Sequence, residues 1–114
     1  MLTRFPASTS ARSAAMLQVQ LFLDEEDTFQ GHSSSEHILR YLLHHKILGA
    51  TLFKAHMGFG AHRHLNAPGK LGATDALPVM IMFIDEEEKV QHVLPHLKEV
   101  LASGLIVAHR TEPL

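Results

Sequence analysis

Three observations predict an α+β fold. Apolar residues alternate at period two from Met16 to Leu23, two later stretches carry apolar residues three and four apart, and the run from Pro78 to Ile84 is almost entirely apolar. In chain order these segments, with two further strand-like runs, read β-α-β-β-α-β.

The first strand is Met16 to Leu23, where Leu17, Val19, Leu21 and Leu23 alternate with Met16, Gln18, Gln20 and Phe22. An acidic turn, Asp24-Glu25-Glu26-Asp27, leads through Gly31 to Ser33-Ser34-Ser35-Glu36, where Ser33 and Glu36 have capping-box spacing. The helix that follows places Ile38, Leu39, Leu42, Leu43 and Ile47 on its apolar stripe. It leaves His37, Arg40, His44 and Lys46 for solvent and is expected to stop at Gly49.

Ala50 to Met57, rich in small, β-branched and aromatic residues, predicts the second strand, which ends at Gly58-Phe59-Gly60. Pro78 to Ile84 predicts a third strand buried on both faces. Asp85 and Glu88 repeat the cap-plus-three spacing and open a second helix, with Val90, Val93, Leu94, Leu97, Val100 and Leu101 on one stripe. Pro95 lies inside it, removing a backbone donor, so a kink or a break is expected there. Ser103-Gly104 ends the helix and Leu105 to His109 forms the fourth strand.

This order is the ferredoxin-like split βαβ, a four-stranded antiparallel sheet with two helices on one face. The other face is bare in a monomer. With the third strand apolar on both sides and Met16 and Phe22 on the first, that face predicts subunit association.

The composition fits one domain: 114 residues, 46% hydrophobic and 19% charged. Residues 1–15 contain Arg4 and Arg12, no acid, and only Met1, Leu2 and Phe5 as bulky apolar residues. They lack the apolar core of a secretory leader and are short for a transit peptide. They are expected to be a disordered or misannotated extension, with Met16 as the true start and 16–114 as the folded domain. No cysteine is present, which excludes disulfides, thiolate metal sites and cysteine nucleophiles and fits a reducing, cytoplasmic setting. A net charge of -2 supplies no basic field, so no nucleic-acid partner is expected. No apolar run approaches the length of a membrane span.

The stretch from Gly58 to Leu77 is the one place where chemistry concentrates. It holds Gly58, Gly60, Gly69 and Gly72, the cations Arg63 and Lys70, His62 and His64, and Asp75 as its one acid. Gly58-Phe59-Gly60 is not a dinucleotide fingerprint, because Arg63 occupies the third glycine position and no helix follows. Glycines nevertheless let N–H groups converge on an anion, Arg63 and Lys70 can supply charge, and Phe59 can stack on a base. The competing reading is a loop whose glycines only permit the turn.

Histidine number, ten, invites a metal reading, yet neither His92/His96 nor His62/His64 has a third ligand at motif spacing. The helix pair is expected to be solvated beside Lys89 and Glu99, and His56 and His109, on strands, to be the partly buried ones. The acidic runs Asp24 to Asp27 and Asp85 to Glu88 are expected to serve structure. No nucleophile elbow or HExxH occurs, so no enzymatic activity is expected.

Glu26-Asp27, Gly49-Ala50-Thr51, Gly58-Phe59-Gly60, Leu77-Pro78-Val79, Asp85 with Glu87-Glu88-Lys89, Leu94-Pro95 and Gly104-Leu105 together resemble the PII-like family called domain of unknown function 190, within the PII/CutA superfamily. The resemblance runs from about Met16 to about Glu112. It implies a ferredoxin-like subunit in a homotrimer, with small-molecule clefts between subunits at the base of the loop. PII relatives take adenine nucleotides in such clefts; in this family the ligand is generally unassigned, and some members accompany fluoride-channel-type membrane proteins. By that resemblance Met57, Gly58, Phe59 and Gly60 border the cleft, Lys54 stands at a commonly basic position, and Ser103-Gly104 matches the turn that flanks PII nucleotide sites. Two departures are Ser34-Ser35 in place of Pro-Leu and His56 in place of an aliphatic residue.

The expectation is therefore a PII-like regulatory protein that binds an adenine nucleotide or similar anion. It would use Lys54, Met57, Gly58, Phe59, Gly60, Arg63, Lys70, Ser103 and Gly104, and act on a partner such as a membrane transport or channel protein. The alternative is a CutA-like protein that responds to divalent metal through its loop histidines.

Overall fold

A computed structural model describes residues 15–59 and 77–114. The N-terminal extension, apart from Ala15, and most of the loop after the second strand, including Gly60, Arg63 and Lys70, lie outside the described residues.

The period-two alternation builds the central strand β1, Met16–Asp24. A small hairpin follows, β2 (Thr28–Phe29) and β3 (His32–Ser33). Its turn residues Gln30 and Gly31 both have positive φ, 52° and 83°, the conformation that matches the twist of the flanking strands. Then come α1 (Ser34–His44), β4 (Ala50–Lys54), β5 (Pro78–Glu86), α2 (Glu87–Val100) and β6 (Leu105–Thr111). The sheet order is β4-β5-β1-β6, with every neighbour antiparallel. This is the expected ferredoxin-like arrangement.

Both helices cover one face. Val19, Leu21 and Leu23 from β1 and Val79, Ile81 and Phe83 from β5 pack against Ile38 and Leu42 of α1 and Val93 and Leu97 of α2. The opposite face carries Phe53, Met80, Phe22 and Leu105 in one row across all four strands, and Thr51, Met82, Gln20 and Val107 in the next. Phe22, Phe53, Leu105 and Val107 are exposed there. The third strand is accordingly not buried on both faces in the single chain: Met80, Met82 and Ile84 are half-buried, with nothing among the described residues covering them fully.

Four local expectations change. First, α1 does not run to Gly49: its last carbonyls are satisfied earlier, when Lys46 N–H donates to Leu43 O (3.1 Å) and Ile47 N–H to Leu42 O (3.1 Å). That is a Schellman ending with Lys46, at φ 61°, in the left-handed position usually held by glycine. It turns Ile47 back into the core, while Leu43 is left exposed. Second, Asp85 does not cap α2. The cap position is Glu86, with no side-chain bond. Asp85 is instead buried, accepting from Leu48 N–H (3.0 Å) and Glu86 N–H (2.7 Å), with Lys89 Nζ at 3.3 Å. Third, α2 continues through Pro95 without a break.

Fourth, the histidines exchange places. His56 and His109 are exposed, whereas His37 and His96 are half-buried between the helices, Nε2 to Nε2 at 2.9 Å. Phe29 and Tyr41 pack around them, so the ring pair fills the outer seam between α1 and α2. Among the described residues no helix is long and apolar enough to cross a membrane.

Candidate functional site

One end of the sheet gathers the C-terminus of β1, the N-termini of β5 and β6, and the start of the loop after β4. A cleft of about 330 Å³ opens there. Phe22, Phe59, Pro78 and Leu105 give it an apolar wall, and Asp24 and Asp27 stand at its edge. Its floor is the turn Ser103-Gly104.

The turn is fixed by sterics as much as by hydrogen bonding. Gly104 N–H donates to Leu101 O (3.0 Å), and a Cβ at Gly104 would lie 2.7 Å from the backbone oxygen of Phe22 and collide with the Leu101 side chain. Only glycine lets β6 start this close to β1. The loop base is set similarly: a Cβ on Gly58 would come within 3.3 Å of Pro78 Cγ, and Ala55 N–H donates to Pro78 O (2.9 Å).

The acidic turn does more than close a connection. Asp27 N–H donates to Asp24 O (3.0 Å), Asp24 N–H to Asp27 Oδ2 (3.1 Å), and Glu25 N–H to Leu77 O (2.9 Å), so the turn is tied to itself and to the start of β5. Ser34 N–H donates to Asp27 O (2.9 Å), joining it to the first turn of α1. A smaller pocket of about 140 Å³ continues behind the Ser103-Gly104 turn. It shares Leu23, Asp27, Ser103 and Gly104 with the larger cleft and adds Thr28 and Ser34.

Of the expected site residues, the structure brings Phe59, Ser103 and Gly104 together on the cleft and puts Gly58 beside it. Lys54 does not line it: its Nζ pairs with Glu25 Oε2 at 3.0 Å, an exposed contact of little energetic weight. Met57 is exposed and outside the lining. Sequence reasoning missed Phe22, Leu105, Asp24, Asp27 and Ser34. The alternation of β1 pointed Phe22 to the open face, but only the register opposite Leu105 makes the two a shared wall. Among the described residues no Lys, Arg or His lines either cavity. The arrangement suits a flat, largely apolar group with hydrogen-bond donors at one end.

A family model described as DUF190, uncharacterized ACR, matches residues 16–113. Among curated proteins, a UPF0166 protein of Methanocaldococcus jannaschii is 36% identical over 90 residues, covering 78% of this chain and 82% of that protein. A UPF0166 protein of Aquifex aeolicus is 29% identical over 80 residues, covering 70% and 76%. Two solved structures share the fold at low identity. One is CPII from Thiomonas intermedia K12, bound to ADP, AMP and acetate (TM-score 0.56, 15% identity, 88% of this chain and 91% of that one). The other is the divalent ion tolerance protein CutA1 from Ehrlichia chaffeensis (TM-score 0.59, 12% identity, 90% and 86%).

Proposed function

Because this chain belongs to the DUF190 family, with the fold of PII and CutA proteins, we propose that it is a PII-like regulatory protein rather than an enzyme. It binds an adenine nucleotide in clefts completed between subunits of a homotrimer. Occupancy is relayed through the loop after β4 to a partner, of which a membrane transport or channel protein is the class the family resemblance implies, and the setting is cytoplasmic.

The observation that carries this reading is the cleft itself. Its apolar wall, Phe22, Phe59 and Leu105, is of a kind on which a purine ring packs. Phe22 and Leu105 also belong to the uncovered sheet face, so a second copy seated on that face would extend the same wall. CPII, bound to ADP and AMP, lends the fold-level support. Positive charge for the phosphates is assigned to Arg63 and Lys70, which are outside the described residues.

Calorimetric titration of the full chain with AMP, ADP and ATP tests the proposal. Saturable heat with at least one of them is expected, with Phe59→Ala costing about 1–3 kcal/mol if its ring stacks on the base. No heat with any nucleotide up to about 1 mM, a bound that excludes affinities worth more than about 4 kcal/mol, overturns it. Among the described residues no group of three or more His, Asp or Glu is placed to hold a metal ion. Zinc, copper and manganese salts in the same titration test the CutA-like alternative through His62 and His64.

A further inference from the structure

Ser34 opens α1 and is 1% exposed, yet its Oγ has no hydrogen-bond partner among the described residues. Buried hydroxyls are nearly always satisfied, so an orphan one that lines a pocket points to a group that completes it. The same pocket is lined by Asp27. One carboxylate oxygen of Asp27 accepts from Asp24 N–H (3.1 Å), which leaves the other to accept from something else. Asp27 and Ser34 are held in fixed relation, since Ser34 N–H donates to Asp27 O (2.9 Å).

The chemistry of this pocket is selective. Asp27 needs donors and repels anions, so the phosphate end of a nucleotide is turned away. Ser34 Oγ both donates and accepts. A vicinal diol meets both demands: its hydroxyls donate to the carboxylate and accept from the serine, as an acidic side chain does at a ribose in other nucleotide sites. The pocket adjoins the apolar cleft through Asp27, Ser103 and Gly104, so a base packed against Phe59 places its sugar toward it.

Resting on the nucleotide reading above, we propose that Asp27 and Ser34 form the ribose subsite, holding the 2′- and 3′-hydroxyls. The protein thereby selects ribonucleotides, and the phosphates leave the cleft on the side away from α1.

The test compares AMP, 2′-deoxy-AMP, 2′,3′-dideoxy-AMP and IMP on the full chain by calorimetry. Removing the hydroxyls is expected to weaken binding by about 10- to 100-fold, the range for hydrogen bonds to a charged group. Asp27→Asn keeps an acceptor for Asp24 N–H but makes the other atom a donor, so it should weaken AMP similarly and erase the penalty for the deoxy compounds. Ser34→Ala should weaken AMP severalfold while leaving the unfolding midpoint of the free protein unchanged or raised, because it deletes a buried hydroxyl that has no partner among the described residues. This second variant keeps the proposal testable if Asp27→Asn does not fold. Deoxy compounds that bind as well as AMP, a deoxy penalty that persists in Asp27→Asn, or discrimination against IMP alone would each overturn the ribose subsite and leave nucleotide binding standing. No binding of any nucleotide overturns both.

Discussion

His37 on α1 and His96 on α2 face each other Nε2 to Nε2 at 2.9 Å. One ring must donate and the other accept, so the contact exists only while at least one lone pair remains. Phe29 lies against both rings, Tyr41 packs against His96 at a tilt of 38°, and Glu99 Oε1 is 3.4 Å from His96 Nδ1. His45 and His92 continue the line of rings.

His37→Phe keeps an aromatic ring in the seam but removes this hydrogen bond, so it should cost about 1 kcal/mol of stability, the worth of one hydrogen bond. Urea unfolding measures it, and an unchanged midpoint would refute the assignment.

Asp85→Ala should be the most damaging polar substitution described. It strips the acceptor from Leu48 N–H and Glu86 N–H and leaves Lys89 without its carboxylate, at an expected cost of about 3 kcal/mol. Asp85→Asn retains one acceptor and should cost about half as much. The shift in urea midpoint at constant slope is the measurement.

Lys46→Gly should stabilise the protein by about 0.5–1 kcal/mol, because residue 46 is left-handed at φ 61° and only glycine adopts that conformation without steric cost. A melting temperature that drops would mean that the Lys46 side chain has a compensating role.

At Gly104 the expected change has the opposite sign. Alanine there collides with Phe22 O, a backbone atom that cannot rotate away, so β6 must shift from β1 at about 1–3 kcal/mol. Nucleotide binding should be lost with it, because the floor of the cleft moves. A Gly104→Ala protein of unchanged stability and affinity would place the ligand elsewhere.

Val107→Asp puts a charge in the middle of the uncovered face without touching the cleft lining. Light scattering should give about three times the 12.7 kDa chain mass for the wild type and the single-chain mass for the variant. A monomeric wild type at micromolar concentration would remove the oligomer from the proposal.

Much of this was legible in the residues. Period-two and period-three-to-four patterns report which face of a segment is buried, and burial is repeated locally, so the order of the four long strands and two helices and most of their stripes could be read directly, whereas the short β2–β3 hairpin and the exposure of Leu43 could not. The cap at Ser33, whose Oγ accepts from Glu36 N–H at 3.3 Å, was equally local. Gly58-Phe59-Gly60 and Ser103-Gly104 stood out in the residues as turns, the second placed beside a cleft only by the family resemblance, and Phe59, Ser103 and Gly104 do line the cleft.

What the sequence could not determine was pairing across distance. Asp85 and Glu88 have cap spacing, and nothing within the segment tells that Leu48 N–H, 37 residues away, claims the carboxylate. His37 and His96 each fall on a polar stripe, and only the packing of α1 against α2 brings them together across 59 residues. Asp24 and Asp27 read as an ordinary acidic turn until the register of β1 against β6 sets Phe22 beside Leu105 and builds a cleft above them. The chain by itself determined the main buried stripe of β1, α1 and α2, because that is a property of neighbours two to four residues apart. Which polar groups then meet was decided by tertiary packing, since each bond depends on two surfaces whose relative placement no local pattern encodes.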